Sequence, residues 1–93
     1  MSAALTETLS AAGWTETDDG KAIARRYKFG NFKEAMAWMV RAAFEAEALD
    51  HHPEWSNVYN TVSVKLTTHD TGGLTEKDIA LAERFEALPG GRA

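Results

Sequence analysis

An α+β domain is predicted, a four-stranded antiparallel sheet with three helices packed on one face, in the order helix, hairpin, helix, hairpin, helix. Three observations carry that prediction. An apolar stripe of period 3.6 runs from Phe32 to Phe44. On either side of it lie two pairs of strand-like runs, each pair joined at a turn. Helix-starting and helix-stopping residues, Gly13, Asn31, Pro53 and Thr75, stand at the borders between these pieces.

Leu5, Leu9 and Ala12 recur at helical spacing before Gly13, which gives a short amphipathic first helix with a glycine stop. Trp14 to Thr17 is β-prone and Asp18-Asp19-Gly20 is a turn signal. From Ala22 to Phe29, Ile23, Arg25, Tyr27 and Phe29 alternate with Ala24, Arg26 and Lys28, completing a first hairpin. Asn31 with Glu34 three residues on resembles a capping box, opening a helix from Phe32 to about Leu49. Its apolar positions Phe32, Met36, Met39, Val40, Ala43 and Phe44 form one stripe, expected to face inward, with Glu47 at its edge and partly desolvated. Pro53 lacks an N–H and biases His52 toward extended geometry, so this helix should stop by Asp50 or His51. Trp55 to Val58 and Thr61 to Thr68 read as a second hairpin joined at Tyr59-Asn60, with Val62, Val64 and Leu66 toward the core and His69 at the strand end. Thr75 caps a last helix whose inner face is Ile79, Ala82, Phe85 and Leu88, before Pro89-Gly90-Gly91 breaks it.

The chain's 93 residues fit one domain, 1–93, whose modest core oligomerisation would help stabilise. A composition 44% apolar and 26% charged is that of a globular protein. Net charge is -4 and no basic stripe occurs, which argues against a nucleic-acid partner. There is no positively charged leader and no run of the roughly 18 apolar residues that a membrane span needs, so no membrane partner is expected and the cytoplasm is the expected compartment. With no cysteine there is no disulfide, no thiolate nucleophile and no cysteine zinc site.

The chemistry concentrates between Glu45 and Asp78, which contains all three histidines, His51, His52 and His69, together with Glu47. Histidine both gives and takes a proton near neutrality, so the cluster points to proton transfer. If helical geometry persisted, Glu47 and His51 would lie one turn apart, a carboxylate within reach of an imidazole. Blander readings stand beside this one. Glu47, His51 and His52 could be a polar helix end with histidine facing the dipole, Asp78 the acidic residue of a capped first turn, and Trp55 a core aromatic. Glu47, His51, His52 and His69 also offer metal-type ligands, but adjacent histidines lack the usual helical ligand spacing and no metal is expected. Gly72-Gly73 comes with neither a GxGxxG pattern nor a P-loop lysine.

The run Glu47, His51-His52-Pro53, Tyr59, Val62, Leu66, Thr68-His69, Gly73-Leu74-Thr75 and Asp78 resembles the signature of the pterin-4a-carbinolamine dehydratase family. That family includes the dimerisation cofactor of a liver homeodomain transcription factor. Gly13-Trp14 and the Phe29 to Phe44 region follow in the same order, while the N-terminal segment is short beside the animal members. The resemblance implies the α+β fold already derived, assembly as a homodimer or homotetramer, and a pterin as substrate rather than cofactor, with no cofactor needed. The implied reaction is dehydration of 4a-hydroxytetrahydrobiopterin to quinonoid dihydropterin, the recycling step after an aromatic amino acid hydroxylase. It implies His51 and His69 as the acid–base pair and His52 as the histidine that binds or orients the pterin. Glu47, Pro53, Trp55 and Asp78 would support the site. Two other functions follow from the same resemblance: a protein-binding module stabilising a transcription factor dimer, and action on another pterin linked to molybdopterin metabolism.

Overall fold

The first helix, α1 (Glu7–Ala12), opens where the Thr6 hydroxyl accepts from the Leu9 N–H, and ends at Gly13, whose φ of 122° lies in a region glycine tolerates best. The computed structural model describes residues 4–90. Strands β1 (Thr15–Thr17) and β2 (Ala22–Lys28) pair antiparallel across a turn in which Asp18, Asp19 and Gly20 all have positive φ. Asp18 and Asp19 are the two central residues of the turn closed by the Gly20 N–H donating to the Thr17 carbonyl, and such a left-handed pair matches the twist of the strands. Next comes α2 (Phe32–Ala48), capped by the Asn31 side chain accepting from the Glu34 N–H. A second hairpin, β3 (Glu54–Val58) and β4 (Thr61–Leu66), turns at Tyr59, where φ is 51°. The Asn57 amide secures that turn by donating to the carbonyls of Tyr59 and Thr61.

β4 also pairs antiparallel with β2, Tyr27 opposite Val62, which sets the strand order β1-β2-β4-β3. Ordered strand structure stops at Leu66, short of the expected Thr68. Thr68 instead makes an isolated bridge to Gly73 that closes a 3₁₀ turn over His69–Thr71. The last helix, α3, spans Glu76–Ala87. Gly91, the last residue of the expected terminal breaker, lies outside the described residues.

One sheet face carries Ile23, Tyr27, Val62, Val64 and Leu66 into a core shared with Leu9, Trp14, Trp38, Leu81 and Phe85. The arrangement of α2 differs from the expectation. Its buried residues are Ala35, Trp38, Ala42 and Ala46. Phe32, Met36, Val40 and Phe44, the larger part of the apolar stripe, are exposed, Phe44 by 71%. Three alanines let the helix approach the sheet closely, and Trp38 fills the remaining space, 4.3 Å from the Tyr27 ring and 5.5 Å from that of Phe85. The helix is therefore apolar on two faces, and the bulkier one points outward.

Arg25 sits in the inward register of β2 and is buried. A buried cation needs a partner, and α3 supplies it from its last turn. One oxygen of Glu86, Oε2, accepts from Trp14 Nε1 at 2.9 Å, from Arg25 Nη1 and from the Tyr27 hydroxyl. Burial and the adjacent carboxylate push the Tyr27 hydroxyl up. Burial would also raise Glu86, but hydrogen bonds from Tyr27, Arg25 and Trp14 outweigh it and hold the carboxyl below its usual range. A carboxyl depressed in the folded state contributes stability that is present above its unfolded pKa and is lost as pH falls through its folded one. Glu86→Gln is therefore expected to cost about 2–3 kcal/mol near neutrality. In urea unfolding at a series of pH values, the gap to wild type should narrow toward acid; a gap unchanged with pH would mean the charge contributes nothing.

Candidate active site

α2 ends at Ala48, and Asp50, at φ 52°, adopts the left-handed conformation that reverses the chain. The His51 N–H returns to the Ala46 carbonyl at 3.0 Å, so the chain does not continue as a helix. This places the His51 side chain inward, with the residue only 9% exposed. Its Nε2 lies 2.5 Å from Oδ1 of Asp78, a residue that is completely buried. A carboxylate only accepts, so Nε2 carries the hydrogen and the ring's other nitrogen, Nδ1, is left to exchange a proton.

Asp78 reaches this position because it is the third residue of α3. Its Oδ2 accepts from the Thr75 N–H at 2.9 Å, while the Thr75 hydroxyl accepts from Lys77 N. The expected helix cap is thus real, and the same carboxylate also holds a histidine. Thr68 donates to Oδ2 as well, at 2.8 Å.

The other two histidines stand at the surface, each beside its own carboxylate. His52 Nε2 is 2.9 Å from Glu47 Oε1, and His69 Nε2 is 3.1 Å from Glu54 Oε2. Glu47 therefore pairs with His52 and not with His51, because the left-handed residue at Asp50 breaks the spacing that would have brought His51 over it. Its side chain is 78% exposed, so it is not desolvated as the sequence led us to expect. Asp78 holds His51 and makes no bond to His69. Glu54 was missed, since no spacing rule links a residue on β3 to one in the 3₁₀ turn. Pro53 lies between the histidine pair and β3 and is half-buried. Trp55 is partly buried, its ring parallel to Phe85 at 6.4 Å, so it ties the start of β3 to the core.

Among the described residues, no three His, Asp or Glu side chains come together as metal ligands, and no helix is long and apolar enough to cross a membrane. What the arrangement offers is one buried imidazole oriented by a carboxylate, with two exposed imidazoles on adjoining segments. Such a set suits moving protons to and from a small molecule.

Residues 1–88 match the family described as Pterin 4 alpha carbinolamine dehydratase. The chain belongs to the pterin-4a-carbinolamine dehydratase family. A protein of Opitutus terrae carrying the name "Putative pterin-4-alpha-carbinolamine dehydratase" is 60% identical over 77 residues, 82% of this chain and 77% of that one. A relative of the same name from Rhizobium rhizogenes is 51% identical over 92 residues, 98% of this chain and 91% of its own. Among solved structures, a transcriptional coactivator/pterin dehydratase from Brucella melitensis superposes with a TM-score of 0.82 at 46% identity, covering 95% of this chain and 100% of that one. A pterin dehydratase-like RuBisCO assembly factor of the α-carboxysome shares the fold, with a TM-score of 0.72 at 23% identity over 86% of this chain and 93% of that one. Family and relatives alike support a dehydratase whose substrate is a pterin.

Proposed function

We propose that this dehydratase converts a 4a-hydroxytetrahydropterin, 4a-hydroxytetrahydrobiopterin in the recycling reading, to the quinonoid dihydropterin and water. The observation that carries the reading is the buried His51–Asp78 pair, an imidazole fixed in one tautomer beside exposed histidines. In the reaction the C4a–O bond breaks as C4a=N5 forms. The departing hydroxide takes a proton from one imidazole and leaves as water, while the N5 proton passes to the other. His51 and His69 exchange those two protons, and His52, steadied by Glu47, orients the pterin, with Pro53 and Trp55 shaping the ground beneath it. No metal or organic cofactor enters, because the carbinolamine nitrogen itself expels the hydroxyl. The test is the rate of dehydration of 4a-hydroxytetrahydropterin, generated in situ by a hydroxylase and followed by ultraviolet absorbance. Acceleration by wild type over the uncatalysed rate supports the reading, and none refutes it.

The reading includes a homodimer or homotetramer, acting in the cytoplasm. Phe32, Met36, Val40 and Phe44 make one exposed apolar row at four-residue spacing, a self-complementary surface for a second copy of α2. Phe44→Glu should reduce the mass measured by light scattering at micromolar concentration to that of a smaller species. An unchanged assembly would place the contact elsewhere. The same row, with the coactivator named in the Brucella relative's description, favours a second reading in which a different protein docks there. In that case His51→Ala would abolish dehydration and leave the docking intact.

A further inference from the structure

Thr68 lies outside the histidine and carboxylate set, yet it touches both halves of the site. Its hydroxyl is 2.8 Å from Asp78 Oδ2 and 2.8 Å from the Thr75 hydroxyl. Each hydroxyl has one hydrogen to give. The Asp78 carboxylate accepts only, so Thr68 spends its hydrogen there and must accept from Thr75. Thr75 in turn accepts from the Lys77 N–H. The donors therefore run in one direction, from Lys77 N–H to Thr75 hydroxyl to Thr68 hydroxyl to Asp78 Oδ2. Each link polarises the next.

With the Thr75 N–H also on Oδ2, that oxygen is occupied by two donors, and Oδ1 is left to His51. The backbone of Thr68 does a second job. It exchanges hydrogen bonds with Gly73, N–H to carbonyl at 3.2 and 3.3 Å, closing the turn that presents His69 as its next residue. Resting on the proposed function, we infer that Thr68 is a positioning residue for the dehydration. Its hydroxyl sets the rotation of the Asp78 carboxylate and thereby the tautomer and tilt of His51, while its backbone anchors His69 at a fixed offset from that pair.

Thr68→Val keeps the branched shape and the backbone bridge and removes only the hydroxyl. The expected result is a kcat lower by about 10- to 30-fold, the scale of one hydrogen bond to a charged group, with KM changed less than threefold. Thr68→Ser, which restores the hydroxyl, should recover most of the lost kcat. A purely structural threonine would lower the melting temperature without moving either kcat or its pH profile. A second readout needs no activity: the ring nitrogen resonances of His51, followed by NMR against pH, should shift in Thr68→Val and return in Thr68→Ser. If wild type shows no dehydration yet His51 responds in this way, the proposed function fails and the positioning of His51 by Thr68 stands. If the resonances and the kcat–pH profile of Thr68→Val match wild type, the inference is overturned.

Discussion

Replacing His51 with alanine should lower kcat for dehydration by about 10²–10⁴, the usual contribution of a positioned acid or base. The loss should come without unfolding. His51 is packed near the surface of the core, and its removal leaves Asp78 with two of its three donors, the Thr75 N–H and the Thr68 hydroxyl. Circular dichroism and a melting curve check this in parallel with the rate. His69→Ala should cost a comparable factor and even less stability, since the His69 side chain is 80% exposed and its bond to Glu54 is a surface contact. His52→Ala should act mainly on KM if that ring orients the pterin. The contrast among the three variants matters more than any one value. Two histidines that change kcat and one that changes KM fit the assignment, whereas a loss under tenfold for His51→Ala would remove the buried pair from the chemistry.

The local signals in the sequence were legible where one residue settles the geometry. Gly13, Asn31 and Thr75 mark helix ends in the structure as they do in the chain, and the alternation in β2 and β4 assigns the inward faces. The same alternation sets Arg25 on one face with Ile23 and Tyr27, a face the structure buries, so the guanidinium needs a carboxylate partner. It could not say that the carboxylate was Glu86, because that contact joins residues 61 positions apart. The outward row on α2 was misjudged for a related reason. Periodicity shows that apolar residues share a face, but three alanines and one tryptophan can close a helix onto a sheet as well as a row of larger residues can. At the site, residue types were legible and pairings were not. One left-handed residue, Asp50, decides whether His51 faces Glu47 or turns inward to Asp78, and a composition-based reading has no access to that dihedral.

Asp78 is where stability and chemistry separate most cleanly. Asp78→Ala should destabilise the protein by about 3–4 kcal/mol, because it strips the cap bond from Thr75 and leaves the Thr68 hydroxyl and His51 Nε2 buried without an acceptor. That is a large share of the roughly 5–15 kcal/mol that holds a domain folded. Asp78→Asn should behave differently. Two donors converge on the position of Oδ2, so the amide oxygen will occupy it and the amide nitrogen will face His51. The cap survives, and the stability cost should fall to about 1–2 kcal/mol. The imidazole, however, now meets a donor where it had an acceptor. It must carry its hydrogen on Nδ1 instead of Nε2, so the free ring nitrogen presents an N–H where the wild-type imidazole presents a lone pair. A wrong tautomer in a histidine–carboxylate pair can cost as much as about 10⁴ in kcat, so a loss of 10²–10⁴ is expected here in a protein that remains folded. Urea unfolding and kcat measured on both variants provide the check. A stable Asp78→Asn protein with wild-type turnover would mean that the carboxylate serves only the helix cap.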